Sequence, residues 1–132
     1  MGLKLVLKPH ERLIIGGAVL SNGHSRAELI IENTVPVLRE RDIMSPSSAQ
    51  TPCGMIYLAL QLMYVDPQLR NEQRAMYDSL VSQVLQAAPS TQQIITRMNS
   101  ELDEGRYYHA LKTARELLNY EQTLLNNVHD RT

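Results

Sequence analysis

Apolar residues occupy every second position at the start of the chain and every third or fourth position further on, and the change of period falls near residue 50. Leu3, Leu5 and Leu7 alternate with Lys4, Val6 and Lys8, the pattern of a strand with one buried face, and Pro9-His10-Glu11 supplies a turn. Arg12–Ile15 is expected to return as the partner strand. Gly16-Gly17 breaks the run before residues 18–20, and Ser21-Asn22-Gly23 offers the positive backbone dihedrals of a tight hairpin. Residues 27–32 form the next strand, with Ala27, Leu29 and Ile31 on one side. Asn33-Thr34 turns the chain toward a strand over 35–38, and residues 41–44 are read as one more short strand. The first 44 or so residues are therefore expected to form a meander.

Beyond the linker Ser45-Pro46-Ser47-Ser48, Thr51-Pro52 reads as a helix cap followed by proline at the first helical position. The helix it opens carries Met55, Ile56, Leu58, Ala59, Leu60, Leu62 and Met63 on nearly all sides, which predicts a place between the β layer and other helices. Asp66-Pro67 repeats the cap, and Leu69, Met76, Tyr77, Leu80, Val81, Val84, Leu85 and Ala88 trace an amphipathic stripe as far as Pro89. Ser90 with Gln93 reads as a capping box for a third helix that ends at Glu104-Gly105. A fourth helix, from Arg106 to about Asn126, stripes Tyr107, Leu111, Ala114, Leu118 and Leu125. The fold class is thus a segregated α+β: an antiparallel meander or small barrel-like sheet over residues 1–50, packed on a bundle of about four helices over 51–132, in one cooperative domain.

Composition narrows the chemistry. All six aromatic residues are Tyr, with no Phe or Trp in 132 residues, so the core must rest on Leu, Ile, Val, Met and Ala. Cys53 is the only cysteine, which rules out an intrachain disulfide and a thiol pair for metal, and fits a reducing, cytoplasmic setting. Neither a secretory core nor a membrane-length apolar run is present. Thirteen basic residues against fourteen acidic ones give a formal charge of −1, poor support for nonspecific phosphate binding. The sign is uneven, at +1 for residues 1–50 and −2 for the remainder, so any cationic site must be a local patch.

The segment Val37-Leu38-Arg39-Glu40-Arg41-Asp42-Ile43-Met44, running through Ser45-Pro46 to Thr51-Pro52, crowds four charges between apolar ends. Together with Leu3-Lys4-Leu5-Val6-Leu7-Lys8-Pro9-His10-Glu11, Gly17-Ala18-Val19-Leu20-Ser21-Asn22-Gly23, Asn33, Tyr57 and Met63-Tyr64-Val65-Asp66-Pro67, it resembles the FlbT family of flagellar biosynthesis repressors. These blocks span residues 3 to 67; the C-terminal half carries only a helical pattern, and Leu58 stands where an aromatic is expected after Tyr57. The resemblance implies a cytoplasmic, nonenzymatic repressor that associates with the 5′ untranslated leader of flagellin mRNA and promotes its degradation, with cleavage supplied by a cellular nuclease.

The candidate RNA-binding residues are Lys4, Lys8, Arg12, Arg26, Arg39 and Arg41. Lys4 and Lys8 are expected to share the outward face of the first strand near the spacing of successive phosphates, with the arginines extending a ladder. A fainter likeness, of Leu3–Leu7, Lys8, Glu11 and Ile14-Ile15-Gly16 to the first hairpin of the carbon-storage regulators, also points to Lys8. The competing reading is a solvated sheet face on which Glu11, Glu28, Glu32 and Glu40 pair with these cations. His10 and His24 fall in turns and suit ordinary surface positions as well as base stacking, while His109 and His129 are too distant in sequence for a zinc motif. Ser21, Ser25, Ser45 and Cys53 lack a nucleophile context, and Gly16-Gly17 lacks the rest of a nucleotide-binding loop. No catalytic residue, cofactor or metal is therefore assigned.

Gly105-Arg106-Tyr107-Tyr108-His109-Ala110-Leu111 with Leu117-Leu118 resembles the first helix of a tetratricopeptide repeat, although one unit makes no solenoid. Tyr107, Tyr108 and Tyr120 are accordingly either core or a partner-binding edge. The second function class is an adaptor or chaperone-like regulator that engages flagellin or another flagellar regulator through this helical half. Spare strand edges leave a homodimer open.

Overall fold

Five short strands precede four helices in a computed structural model of the chain, which describes residues 2–130, with side chains described through residue 127. The strands are β1 (Leu3–Leu7), β2 (Arg12–Ile15), β3 (Ala18–Ser21), β4 (Ala27–Ile31) and β5 (Val37–Arg39). The helices are α1 (Pro52–Val65), α2 (Arg70–Ala87), α3 (Gln92–Asp103) and α4 (Tyr107–Asp130). The α+β class is as the periodicity indicated, and the chain divides into two compact units, Met1–Ile43 and Met44–Thr132.

Within the first unit the strands form two antiparallel sheets, one pairing β1 with β4 and one ordered β3-β2-β5. Among the described residues there is no closed barrel, and β2 does not pair with β1 as the simple meander required. The apolar alternation explains the departure. Leu5, Leu7 and Leu13 are buried together, with Ile15, Leu29, Ile31 and Val37 packed against them, so residues from both sheets supply one small core. A single β1–β2 hairpin would cover only one face of each strand.

Turn chemistry separates the sheets. Glu11 N–H donates to the Lys8 carbonyl at 3.1 Å, with Pro9 second in the turn and His10 third at φ 63°, the type II pattern. His10 N–H then donates to the Gly23 carbonyl and Asn22 N–H to the Glu11 carbonyl, both at 2.8 Å. The Asn22 side-chain amide donates to the carbonyls of Lys8 at 2.8 Å and Ser25 at 2.9 Å. Ser21–Gly23 is thus a strap that carries the chain from one sheet to the other. The tight hairpin lies instead at Gly16 and Gly17, whose φ values of 56° and 88° suit a type I′ turn. Residues 41–44, expected as a strand, begin in a 3-10 turn over Glu40–Asp42 that takes three of the four charges out of extended pairing.

In the helical unit the caps follow the sequence at most points. The Thr51 side chain accepts the Gly54 N–H at 3.0 Å, Pro52 occupies the first turn, and Asp66 accepts the Gln68 N–H at 3.0 Å. Gly105, at φ 76°, closes α3 by donating to Leu102 while Arg106 N–H reaches the Glu101 carbonyl. The Ser90–Gln93 box does not form: Thr91 precedes α3 and turns its hydroxyl onto the Ala88 carbonyl, while Ser90 accepts the Tyr120 hydroxyl at 2.6 Å.

Helix α1 packs on both α2 and α4, and α3 packs on α4. Ile56, Leu60, Met63, Ile95, Met98 and Leu117 form the deep core, with Tyr57 and Tyr77 as its largest side chains. Each buried phenol has a polar partner, since Tyr77 donates to Asn99 Oδ1 at 2.6 Å and Tyr57 accepts from the Arg115 guanidinium at 3.1 Å. Met76 and Leu125, which the helical stripes placed inside, are exposed. Gln61 is buried yet fully used, its amide accepting the Met44 N–H at 2.7 Å and donating to the Met44 carbonyl at 3.0 Å. Among the described residues no helix is long and apolar enough to cross a membrane.

Two substitutions test these local assignments in urea unfolding. Thr51→Ala removes the cap of α1 and is expected to cost about 1 kcal/mol. His10→Gly relieves the left-handed backbone and is expected to stabilise by roughly 0.5–1 kcal/mol, net of the entropy gained by the unfolded chain.

Candidate functional site

The tip of the β1–β2 turn and the end of β5 enclose a cleft of about 380 Å³ lined by Lys8, Pro9, Glu11, Arg39, Glu40 and Arg41. Three of the six candidate cations meet there. The β2–β5 register, Leu13 opposite Arg39, carries the Arg39–Arg41 segment to the turn, and the type II geometry holds Lys8 beside it.

Glu11 organises the cleft. Its Oε1 accepts the Lys8 backbone N–H at 2.9 Å, and its Oε2 accepts Nη2 and Nε of Arg39 at 3.0 and 3.3 Å. Arg39 Nη2 also donates to the Val6 carbonyl at 2.9 Å, so the half-buried guanidinium ties β5 of one sheet to β1 of the other. The Lys8 N–H and the Arg39 guanidinium outweigh partial burial and hold the Glu11 carboxyl below the ordinary value of 4.5. Glu40 Oε1 accepts the Arg12 backbone N–H at 3.1 Å.

The remaining cations are arranged differently. Lys4 stands on the outward face of β1, 3.5 Å from Glu28 across the ladder, with both side chains more than half exposed. Lys8 lies just past the end of β1, four positions from Lys4, or about 13 Å along an extended chain. The expected phosphate-like spacing of these two residues is therefore absent. Arg26 immediately precedes β4, just beyond the Leu7–Ala27 end of the β1–β4 ladder. Arg12 is exposed on β2, and Arg41 is exposed with Asp42 3.9 Å from its Nε. The outcome divides the two sequence readings: Lys4, Arg39 and Arg41 each have a carboxylate partner, while Lys8, Arg39 and Arg41 share one cleft.

Tyr107, Tyr108 and Tyr120 all make contacts within the helical unit. The Arg70 guanidinium lies 4.1 Å over the Tyr107 ring while donating to the Met63 carbonyl. Tyr108 packs at 5.5 Å against Tyr64 with the Lys112 ammonium 5.0 Å over its ring, and Tyr120 donates to Ser90. Tyr108 retains the most exposed ring surface of the three.

A second, more apolar cleft of about 270 Å³ lies in the helical unit, lined in part by Pro52, Cys53, Val84, Ala87, Glu121 and Leu124. Glu121 Oε2 accepts the Cys53 N–H at 3.3 Å, placing a carboxylate at the start of α1 where the helix dipole favours it. Burial, then the charge of Glu121, pushes the Cys53 thiol up to about 12, which keeps it protonated. Among the described residues no group of three His, Cys, Asp or Glu is placed to hold a metal ion, and the side chain of His129 lies outside the described residues.

Neither Glu11 nor Glu121 was singled out by sequence as a site-forming residue. Glu11 left one legible signal, a carboxylate three positions after Lys8 across Pro9, whereas the Glu121 contact spans 68 positions and left none.

The family model described as "Flagellar protein FlbT" matches residues 3–125. The chain belongs to this family. A relative from Bradyrhizobium diazoefficiens, named probable flagellum biosynthesis repressor protein FlbT 1, is 46% identical over 125 residues, covering 94% of this chain and 85% of its own. A probable flagellum biosynthesis repressor from Rhodopseudomonas palustris is 34% identical over 126 residues, covering 96% and 99% respectively. The flagellum biosynthesis repressor protein of Caulobacter vibrioides is 33% identical over 130 residues, covering 97% and 92%. No solved structure matches. The family match therefore extends through the helical half, where the sequence motifs were least specific.

The Glu11 linkage sets a pH signature. A carboxyl with a lowered folded-state pKa contributes stability above its unfolded value near 4.5, and that contribution disappears as pH falls through the folded value. Thermal melts should therefore show wild type more stable than Glu11→Gln near neutrality, with the difference shrinking steadily below pH 4.5.

Proposed function

We propose that this chain represses flagellin production by binding the 5′ untranslated leader of flagellin mRNA through the cleft at the β1–β2 turn, promoting degradation of the messenger without catalysing it. The repressor role rests on the family and on the names of its relatives. The RNA assignment rests on one observation, the gathering of Lys8, Arg39 and Arg41 around a single cleft in a chain whose net charge is −1. Arg39 is the fixed member, because Glu11 and the Val6 carbonyl hold its guanidinium in place. Lys8 and Arg41 flank it as the more adaptable charges.

Glu11 and Glu40 line the same cleft and disfavour a continuous phosphate track. The arrangement suits a short unpaired segment, one or two of whose phosphates meet cations while a base enters the cleft. The protein would then mark or open the leader in the cytoplasm, and a cellular nuclease would cut it. Tyr107, Tyr108 and Tyr120 lie outside this reading.

A second reading, an adaptor that engages flagellin or another flagellar regulator, draws on the apolar cleft beside Cys53, Val84 and Leu124 and on the exposed Tyr108 ring. One experiment separates the two: titration of purified protein with the flagellin leader across a salt series, beside the same titration with flagellin. Contact with one or two phosphates predicts a log–log slope of about −0.7 to −1.4, at about −0.7 per phosphate for a single strand. Lys8→Ala should lower affinity and flatten the slope by about 0.7, while Lys4→Ala leaves both unchanged. Capture of flagellin with no leader binding would replace this reading with the adaptor.

A further inference from the structure

Strand β3 forms one edge of the three-stranded sheet, paired only with β2, and all four of its residues are exposed. Val19 is 62% exposed and Leu20 37%. Edge strands are ordinarily protected by a charge, a proline or a bulge, and β3 has none of these. No Lys, Arg, Asp or Glu occurs from residue 13 to residue 25.

The hairpin fixes which groups β3 offers. A two-residue turn at Gly16-Gly17 makes Ile15 and Ala18 a hydrogen-bonded pair, and Leu13 and Leu20 are the next such pair along the ladder. Val19 and Ser21 therefore direct their N–H and C=O groups away from β2. Among the described residues no turn or loop backbone bonds to either one. An antiparallel partner must place hydrogen-bonded positions opposite both. A second copy of β3 does so in one register, with Val19 opposite Ser21 of the other copy, Ser21 opposite its Val19, and Leu20 facing Leu20 on the two-fold axis. This register makes four backbone bonds and brings two half-exposed leucines together at a close, non-hydrogen-bonded pair.

We propose that β3 is the seam of a two-fold symmetric homodimer, joining two β5-β2-β3 sheets into one of six strands with Leu20 on the axis. The occupant is argued to be a second copy for two reasons. The register is self-complementary, as an isologous interface requires. The neutral stretch on each side also sets no like charges against each other, and it gives a charged foreign strand no counter-charge to select it. Four-residue strands bury less than the roughly 1,200 Å² of a stable interface, so association should be weak and concentration-dependent. The proposal is independent of the RNA reading, and either can fail without the other.

Cysteine scanning on the full chain tests both the seam and its register, with Cys53 as a buried background thiol. Under mild oxidation Leu20→Cys is expected to give a disulfide-linked dimer at least tenfold faster than Val19→Cys or Ser21→Cys, because only position 20 faces its own copy. Sedimentation of wild type should show a reversible monomer–dimer equilibrium. Val19→Pro, which deletes an outward N–H twice per dimer and spares the bonds to β2, should weaken that equilibrium about tenfold or more with the far-UV circular dichroism unchanged. Purely monomeric sedimentation at high protein concentration overturns the proposal, as does linkage at position 19 or 21 as fast as at position 20.

Discussion

The β unit depends on one carboxylate that answers three donors. Glu11 takes the Lys8 N–H on one oxygen and the Arg39 guanidinium on the other, and Arg39 passes the connection to the Val6 carbonyl. The core cluster beneath has Leu5, Leu7 and Leu13 as its buried members, a modest apolar surface for fixing two small sheets. A charge-assisted network at the rim supplies directionality that a few leucines lack. The same network decides the character of the cleft: Arg39 is held in place, and Lys8 is positioned by the turn whose carbonyl and N–H bind Glu11 at both ends.

This arrangement links the electrostatics of the chain to its proposed role. A protein with no net positive charge cannot rely on long-range attraction to a polyanion, so recognition must come from a few cations held at fixed geometry. Two carboxylates in the cleft set the contacts that are available. They disfavour extended duplex backbones and leave room for flexible, unpaired segments. In the helical unit Arg70 shows a contrasting use, its guanidinium lying over the Tyr107 ring and donating to the Met63 carbonyl, while Arg74, Arg97 and Arg106 pair with carboxylates.

Sequence reasoning succeeded where the signal was local. The alternation that marks β1, the caps at Thr51 and Asp66, and the stop at Gly105 each depend on residues within a few positions and each appears in the structure, although of the three leucines only Leu5 and Leu7 are buried and Leu3 is exposed. It failed where competing partners lay further away. Pairing β1 with β2 looked natural until both needed to bury the same leucine face, which two facing sheets achieve and one hairpin does not. Ser21-Asn22-Gly23 carries turn residues, but Asn22 spends its amide across the strap on Lys8 and Ser25. Likewise the candidate cations were visible as residue types, while the choice between pairing and cleft depended on carboxylates 24 or 28 positions distant, as for Lys4 with Glu28 and Arg39 with Glu11. Family membership was legible because its motifs concentrate in the first 67 residues.

The restriction of aromatic residues to tyrosine has an optical consequence. Without tryptophan the near-ultraviolet spectrum reports phenols alone, and Tyr77 is sealed in the helical core with its hydroxyl on Asn99. Burial pushes the ionisation of that phenol well above the ordinary value, so phenolate absorbance from Tyr77 emerges only when the surrounding helices open. The molecule thus carries a built-in chromophore for the integrity of its helical half, readable in alkaline solution without any label.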